Sequence, residues 1–241
     1  MSGHSKWNNI KHKKEKSDAA KAKIFTKIGK EMCVAIKAGG PDPNNNSKLR
    51  DLIAKAKANN VPNENIQRTI KKFSENNDIN YEEITYEGYG PSGVAVIVET
   101  STDNRNRTAG NVRSYFSKYG GNMGTNGCVA FLFEEKGVIT ILDEDDELDE
   151  DKVMEDALES GAEDIKCDEG EYSIYTAPDD LDAVRDAILA LGYRIDTADL
   201  AKVPSTYVEL SSDEDAENME KMLDKFNEDD DITAVYHNWD N

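Results

Sequence analysis

The N-terminal lysines are the residues of this sequence best suited to a chemical role. Nine of them lie between residues 6 and 30, with Trp7 and His12 among them: Lys6, Lys11, Lys13, Lys14, Lys16, Lys21, Lys23, Lys27 and Lys30. Ammonium groups neutralise phosphates and release counterions, and an indole can stack on a base or insert between bases. The pattern predicts contact with nucleic acid. The alternative is a solubilising surface on which Trp7 packs against the helices.

The distribution of charge along the chain supports the first interpretation. The 241 residues have a formal net charge of −20, which alone argues against a nucleic-acid partner. Residues 1–75, however, contain 17 Lys and Arg and 7 Asp and Glu, a formal charge of +10, and the remainder contains 12 and 42, a charge of −30. Such asymmetry indicates that one basic module makes the contact. Its only arginines are Arg50 and Arg68, and no helix-turn-helix signature is evident, so backbone contact is favoured over base readout.

A second cationic candidate is the Asn-Arg-Asn-Arg-Thr run at residues 104–108. Arg105 and Arg107 begin a predicted helix, whose first N–H groups also favour anions. The alternative is that Asp103 caps this helix while the arginines pair with Glu99 or Glu134. The predicted nucleic-acid-binding residues are therefore Lys6, Trp7, Lys11, His12, Lys13, Lys14, Lys16, Lys21, Lys23, Lys27, Arg105 and Arg107.

The remaining motifs receive structural interpretations. The Gly-rich segment 120–127 lacks the Lys-Ser/Thr of a phosphate-binding P-loop and is predicted to be a helix-to-strand loop. The acidic run 143–151 lacks the glycine of a calcium-binding EF-hand loop and is predicted to be a solvated loop and helix start. No nucleophile or paired carboxylate accompanies His4, His12 or His237, and His237 is interpreted as a packing or capping residue. We therefore expect no enzymatic activity, no cofactor and no metal site.

Apolar periodicity predicts three N-terminal helices. The first contains Ile24, Ile28 and Ile36 and ends at Gly39-Gly40-Pro41. The second follows Ser47, a candidate N-cap, and the third begins near Pro62 and contains Ile66, Ile70 and Phe73. Short connections between them predict a three-helix bundle with outward-facing lysines.

The rest of the chain has a mixed α and β pattern. Residues 136–203 follow a βαββαβ order, which is the ferredoxin-like order. We also predict a strand at Val94–Val98, a helix at 103–119, a strand at Cys128–Phe133, and then strand 206–210, helix 213–226 and strand 232–238. Together these predict an α+β protein: a three-helix bundle plus two ferredoxin-like α/β sandwich units, one inserted in the other. The predicted domains are 1–77, a discontinuous 78–135 with 204–241, and an inserted 136–203.

Cellular context is also predicted from composition. Three scattered cysteines without a CxxC pair fit a reducing cytosol. No apolar segment follows the basic N-terminus, and no stretch approaches the length of a membrane span, so we expect a cytoplasmic protein without membrane contact. The acidic helix 213–226 would suit a basic protein partner. The oligomeric state is open, with a monomer favoured.

Several motifs resemble those of the YebC/PmpR family. They extend over nearly the whole chain: Gly3-His4-Ser5-Lys6-Trp7, Ile24-Phe25-Thr26-Lys27, Tyr86-Glu87-Gly88-Tyr89-Gly90-Pro91, Asp103-Asn104-Arg105-Asn106-Arg107-Thr108, Gly120-Gly121-Asn122, Gly161-Ala162-Glu163-Asp164, Pro204-Ser205-Thr206 and Val235-Tyr236-His237-Asn238. The resemblance implies three domains and a DNA-binding transcriptional regulator. Other family members resemble translation factors acting at the ribosome, and a mitochondrial relative is a translational activator. DNA and ribosomal RNA therefore both remain open as partners.

Overall fold

The computed structural model describes residues 18–75, 80–143, 148–168 and 170–240, and the chain divides into two compact units. One unit takes the described residues up to Phe131 together with Val208–Trp239, and the other is formed mainly by Leu132–Tyr207. The class is mixed α+β with three helices preceding the sheets, which confirms the predicted fold class. The three-domain boundaries stay a prediction.

Seven α-helices and ten strands occur in the described residues. The helices are α1 (Asp18–Gly39), α2 (Ser47–Ala58), α3 (Asn63–Glu75), α4 (Arg105–Lys118), α5 (Glu150–Glu159), α6 (Leu181–Ala190) and α7 (Asp213–Glu228). The strands are β1 (Glu82–Tyr89), β2 (Ala95–Thr102), β3 (Asn122–Met123), β4 (Phe133–Leu142), β5 (Asp164–Asp168), β6 (Glu171–Thr176), β7 (Ile195–Pro204), β8 (Val208–Glu209), β9 (Ile232–His237) and β10 (Trp239–Asp240).

The first three helices bury the apolar stripes that predicted them. Their common core contains Ile28, Met32, Ile36, Leu49, Leu52, Ala56, Ile66, Ile70 and Phe73. The spacing of these residues keeps each stripe on one side of its helix. Gly40 follows α1 with a φ of +84°, and its N–H donates to the carbonyl of Ile36, so a glycine ends the helix as predicted.

Asn46 caps α2, so the prediction of Ser47 was wrong by one residue. The Asn46 side-chain oxygen accepts the N–H of Leu49 at 3.0 Å. Its amide group also donates to the carbonyls of Ala35 and Gly40, at 2.8 Å each. A serine hydroxyl has one proton and could not make both of these bonds. Asn46 therefore joins the end of α1 to the start of α2.

The first sheet has the strand order β3-β1-β2-β9, and every neighbouring pair is antiparallel. Val96 and Val98 of β2 share a core with Phe116 of α4 and with Met222 and Phe226 of α7. The rings of Phe116 and Phe226 meet edge to face, with centroids 5.3 Å apart. Both helices thus pack on the same face of this sheet.

Two strands predicted for this sheet are placed differently. The segment 206–210 is a strand only at β8, which pairs with β10 in a separate two-stranded ribbon. Cys128–Phe133 contains a 3₁₀ turn at Ala130–Leu132 and joins the other sheet only at Phe133. The fourth strand of the first sheet is instead the two-residue β3, which pairs with Gly88 and Tyr89.

A buried carboxylate explains why the chain is a loop before Phe133. Glu87 lies on β1 with 6 % of its surface exposed. Its oxygens accept the N–H groups of Gly127, Val129 and Ala130 at 2.7, 2.9 and 2.8 Å. These amides turn inward to one side chain and are therefore lost to a β ladder.

The second sheet has the order β5-β6-β4-β7, again antiparallel throughout. With α5 and α6 this gives the βαββαβ sequence of elements, so the ferredoxin-like prediction for residues 136–203 is confirmed. β7 is longer than the predicted strand at 193–197, because it follows β4 as far as Pro204 opposite Phe133. Its core includes Ile139, Ile141 and Ile174.

Candidate nucleic-acid interface

Most of the predicted lysine site lies outside the described residues. This applies to Lys6, Trp7, Lys11, His12, Lys13, Lys14 and Lys16, and to the side chain of Lys21. The structure places the side chains of Lys23, Lys27 and Lys30 on α1 and those of Arg105 and Arg107 on α4.

The C-terminal end of α7 is contacted by the side chains of three α1 lysines, Lys23, Lys27 and Lys30. Their amino groups donate to the carbonyl oxygens of Glu228, Asn227 and Asp230 at 3.2, 3.2 and 2.9 Å, respectively. The last carbonyls of a helix have no intrahelical partner and carry partial negative charge, which favours cations. These lysines therefore have an intramolecular reason for their type and spacing. Nucleic-acid binding by Lys23 and Lys27 stays an untested prediction.

Asp231 fixes α1 to the sheet that follows. One carboxylate oxygen accepts Lys30 at 2.6 Å, and the other accepts Arg107 at 2.6 Å and Thr108 at 2.9 Å. The Asp231 side chain is 6 % exposed and that of Lys30 is 12 % exposed. Burial alone would raise the pKa of Asp231, but the hydrogen bonds from Lys30, Arg107 and Thr108 outweigh it and lower the pKa to about 2. We call these four residues the Asp231 cluster.

The two predicted arginines of α4 have different surroundings. Arg107 pairs with Asp103 at 2.7 Å and with Asp231 at 2.6 Å, so it pairs with carboxylates as the alternative interpretation held, although with different ones. Asn104, and not Asp103, caps the helix: its side chain accepts the N–H of Arg107 at 3.1 Å. Arg105 is exposed and forms no ion pair with any described residue.

Lys27 lies in a partly buried position on α1. Burial lowers its pKa to about 8, and the neighbouring Lys23 adds to the decrease, while Asp230 and Asp229 oppose it. In the unfolded chain a lysine titrates near pH 10.4. Between about pH 8 and pH 10 the unfolded chain therefore binds more protons, and the free energy of unfolding must rise with pH.

We expect Lys27→Met to stabilise the protein at pH 7 by about 1–2 kcal/mol, because the variant no longer holds a charge in a desolvated site. The rise in stability of the wild type between about pH 8 and pH 10 should be absent from the variant. Urea unfolding followed by circular dichroism across this pH range measures both effects, with exposed Lys57→Met as the control. Parallel pH profiles for wild type and Lys27→Met would contradict the assignment.

A cation-lined groove lies between α2 and α3. It is an open groove of 290 Å³ lined by Pro43, Asn44, Arg50, Ile53, Lys57, Asn63, Ile66 and Gln67. The lining thus combines two cations and three amides with an apolar floor, and contains no carboxylate. Arg50 and Lys57 are exposed and stand seven residues apart on one face of α2. Sequence reasoning missed this groove, although the i, i+7 spacing on a predicted helix was available as a signal.

The Gly-rich segment after α4 is explained by close packing. A Cβ atom on Gly121 would lie 2.5 Å from the carbonyl oxygen of Tyr89, so no larger residue fits beside β1. The segment contains the short strand β3, and Gly124 donates its N–H to the carbonyl of Glu87. The predicted helix-to-strand loop is therefore wrong in part, because the segment itself contains a strand and no strand begins at Cys128.

The remaining candidate residues have structural partners. His237 accepts the N–H of Trp239 through Nδ1 at 3.3 Å, and burial lowers its pKa to about 4, so it is neutral at pH 7. At the acidic run, Asp149 caps α5 and Asp143 accepts the N–H of Leu148, while residues 144–147 lie outside the described residues. In the described ranges no group of three or more His, Cys, Asp or Glu side chains could hold a metal ion. None of the described helices has the length and apolar content needed to cross a membrane.

The chain is similar over its full length to several proteins described as transcriptional regulators. It is 53% identical to a probable transcriptional regulatory protein of Lachnoclostridium phytofermentans, with all of both chains covered. It is 54% identical to a protein of the same description in Agathobacter rectalis, again over both full lengths. A relative described in the same words in Clostridium botulinum is 57% identical, with 99% of this chain and 96% of the relative covered.

One solved structure and two family models also match this chain. The crystal structure of a conserved hypothetical protein from Aquifex aeolicus has a TM-score of 0.83 and 42% identity, covering 92% of this chain and 91% of that one. Residues 5–76 match the model of the TACO1/YebC protein N-terminal domain, and residues 81–239 match that of the TACO1/YebC second and third domain. The chain therefore belongs to the TACO1/YebC family of probable transcriptional regulatory proteins.

Proposed function

We propose that this protein is a nucleic-acid-binding regulator of gene expression, and specifically a non-enzymatic, cytoplasmic, DNA-binding transcriptional regulator. The observation that carries the proposal is the concentration of positive charge in the helical module, at +10 over residues 1–75, in a chain of net charge −20. Among the described residues of this module, the groove lined by Arg50 and Lys57 combines cationic and amide side chains, and its lining contains no carboxylate.

The chemistry of this surface suits a sugar-phosphate backbone. Lysine and arginine neutralise phosphates, and asparagine and glutamine donate to phosphate oxygens or to base edges. The acidic remainder of the chain repels a polyanion only within about 8 Å at physiological salt. A basic module extending beyond that distance can therefore bind while the rest of the molecule stays in solvent.

Ribosome-associated RNA binding is the second candidate function. It is favoured by the low arginine content of the basic module, because base readout in duplex DNA relies heavily on arginine. Seven acidic residues on α7 would also suit the basic proteins of a ribosomal particle. This candidate predicts sedimentation with ribosomes, and the DNA candidate predicts preference among duplex sequences.

The test of the proposal replaces Lys11, Lys13, Lys14 and Lys16 by alanine. Each lost phosphate contact should flatten the dependence of log K on log salt concentration by about 0.9 on duplex DNA and about 0.7 on a single strand. Fluorescence anisotropy with a labelled 30-base-pair duplex and a 30-nucleotide RNA measures this slope. A control variant loses the same charge from residues 132–207, in the acidic part of the chain: Lys136, Lys152, Arg185 and Arg194 to alanine.

Two outcomes would reject the proposal. Wild type that binds neither probe at 50 mM salt has no general affinity for nucleic acid. Equal salt slopes for wild type and the four-lysine variant would remove the N-terminal lysines from the interface. Sedimentation of lysate with and without RNase then separates the candidates, since RNase-sensitive migration with ribosomes supports the RNA target.

A further inference from the structure

Helix α4 lies in the longest carboxylate-free part of the acidic region. Residues 104–133 contain no Asp or Glu, and they contain Arg105, Arg107, Arg113 and Lys118. The region from residue 76 onward holds 42 acidic and 12 basic residues, so thirty consecutive residues without a carboxylate are a marked local exception. Arg107 is engaged in the Asp231 cluster, which leaves three cations to account for.

The exposed surface of α4 is polar and cationic. The buried side of the helix carries Thr108, Val112 and Phe116. Asn106, Gly110, Arg113, Ser114 and Lys118 are exposed away from this side, and Arg105 is exposed in the first turn, in line with Thr108 and Val112 along the helix. We call these six residues the α4 face.

The arginines of this face have no acidic partner among the described residues. Arg107 and Arg185 are held by carboxylates, whereas Arg105 and Arg113 form no ion pair with a described side chain. Both lie near the Tyr86 hydroxyl: burial raises the pKa of Tyr86, and the two arginines act in the opposite direction. Eight residues separate them, which corresponds to about 12 Å along a helix.

Gly110 provides a second, independent observation. It lies in the middle of α4, where glycine is a poor helix former. Its φ is not positive, and a Cβ atom there would have no heavy atom within 4 Å, so neither the backbone nor packing requires a glycine. No contact among the described residues therefore explains the absence of a side chain at this position. That absence would let a bound molecule approach the helix backbone closely.

Two carboxylates of the acidic helix α7, which packs beside α4, are paired with lysines of their own helix. Lys221 and Lys225 of α7 are close enough to Tyr119 to interact with it electrostatically. They pair with Glu217 and Glu228 on their own helix, at 2.6 and 2.5 Å. Asp229, which follows α7, accepts hydrogen bonds from Asn111 and Tyr115 of α4 at 3.0 and 3.1 Å, on the side of α4 away from Arg113.

We propose that the α4 face is a second contact surface for the sugar-phosphate backbone of the nucleic acid bound by the N-terminal module. Its exposed side chains are arginine, lysine, asparagine and serine, which are the types that contact phosphates and sugars. It presents no large apolar or aromatic side chain, as the centre of a protein interface would. This surface rests on the proposed function, because the same nucleic acid is its ligand.

The test uses the full chain and the two 30-mer probes, duplex DNA and single-stranded RNA. Arg105→Gln with Arg113→Gln should weaken binding about 10-fold at 100 mM salt and lower the salt slope by about 1.4–1.8. The control, Arg185→Gln with Arg194→Gln, loses the same net charge from the other unit and should bind like wild type.

A second pair of variants excludes a folding defect. Gly110→Glu puts a carboxylate on the face, and Gly110→Gln adds the same bulk without charge. Both should raise the melting temperature by about 2–4 °C, since both replace glycine in a helix. Gly110→Glu should nonetheless bind more weakly than Gly110→Gln, and the difference should shrink as salt is added.

The outcomes separate this inference from the proposed function. Wild-type binding that is lost in the four-lysine variant but unchanged in the Arg105/Arg113 and Gly110→Glu variants would overturn the α4 face and leave the proposed function standing. Absence of wild-type binding to both probes would overturn both. Weaker binding in the double arginine variant and in Gly110→Glu, with unchanged binding in the matched controls, would support the surface.

Discussion

Replacing Asp231 by alanine is expected to lower the free energy of unfolding by about 3–5 kcal/mol. The variant leaves Lys30, which is 12 % exposed, without its carboxylate, and it removes the acceptor shared by Arg107 and Thr108. Removing one partner of a buried ion pair has this cost because the remaining charge stays buried without a counter-charge. Urea unfolding at pH 7 measures the change, with the exposed neighbouring Asp230→Ala as the control.

The pH dependence of the same variant provides a second measurement. A carboxylate whose pKa falls to about 2 on folding stabilises the folded state above its unfolded pKa, near 3.9. This contribution, about 2 kcal/mol, is lost progressively as the pH falls from about 4 through 2. The wild type should therefore lose stability over this range more steeply than Asp231→Ala. A difference of less than 1 kcal/mol between the Asp231 and Asp230 variants at pH 7 would contradict the role of the cluster.

Glu87→Gln is expected to have the second largest effect, a loss of about 2–4 kcal/mol. Both carboxylate oxygens accept backbone N–H groups, from Gly127 on one side and from Val129 and Ala130 on the other. A glutamine amide has one acceptor and places its NH₂ group against at least one of these donors. Bonds to a charged acceptor are also stronger than bonds to a neutral one.

Amide hydrogen exchange tests this assignment residue by residue. In Glu87→Gln the amides of Gly127, Val129 and Ala130 should exchange faster, whereas the ladder between β1 and β2 should be little affected. The exposed Glu82→Gln on the same strand is the control. Unchanged protection of the three amides would show that other contacts hold the loop.

Sequence periodicity predicted the elements with local signals and missed those set by distant partners. The three helices followed from apolar spacing and from Gly40, and the ferredoxin-like order followed from alternating strand and helix patterns. The segment at Cys128–Phe133 is apolar enough for a strand, but Glu87, some forty residues earlier, takes its amides. No local pattern could reveal this competition.

The candidate site shows the same limit. The lysines of the first helix were predicted to face out of the three-helix bundle, and Lys23, Lys27 and Lys30 do lie outside its core. Their partners at the end of α7 lie about 200 residues further along the chain, so sequence alone offered either an external ligand or solvent for their charge. Only the structure distinguishes the roles of Arg105 and Arg107 on α4, because Arg107 forms an ion pair with Asp231 and Arg105 does not.

The way residues 132–207 leave and rejoin the chain has a consequence for folding. Ser205 donates its N–H to the carbonyl of Leu132 at 2.9 Å, and Phe133 pairs with Pro204. Once folded, this unit therefore holds its own two ends together. For the rest of the chain, the entropy cost of connecting Phe131 to Val208 is then that of a short turn. If the unit unfolds, the same connection becomes a flexible loop, whose closure costs only about 2–3 kcal/mol more. The large insertion is thus tolerable to the domain that surrounds it in both states: its ends are adjacent when it is folded, and the added cost of loop closure is small when it is unfolded.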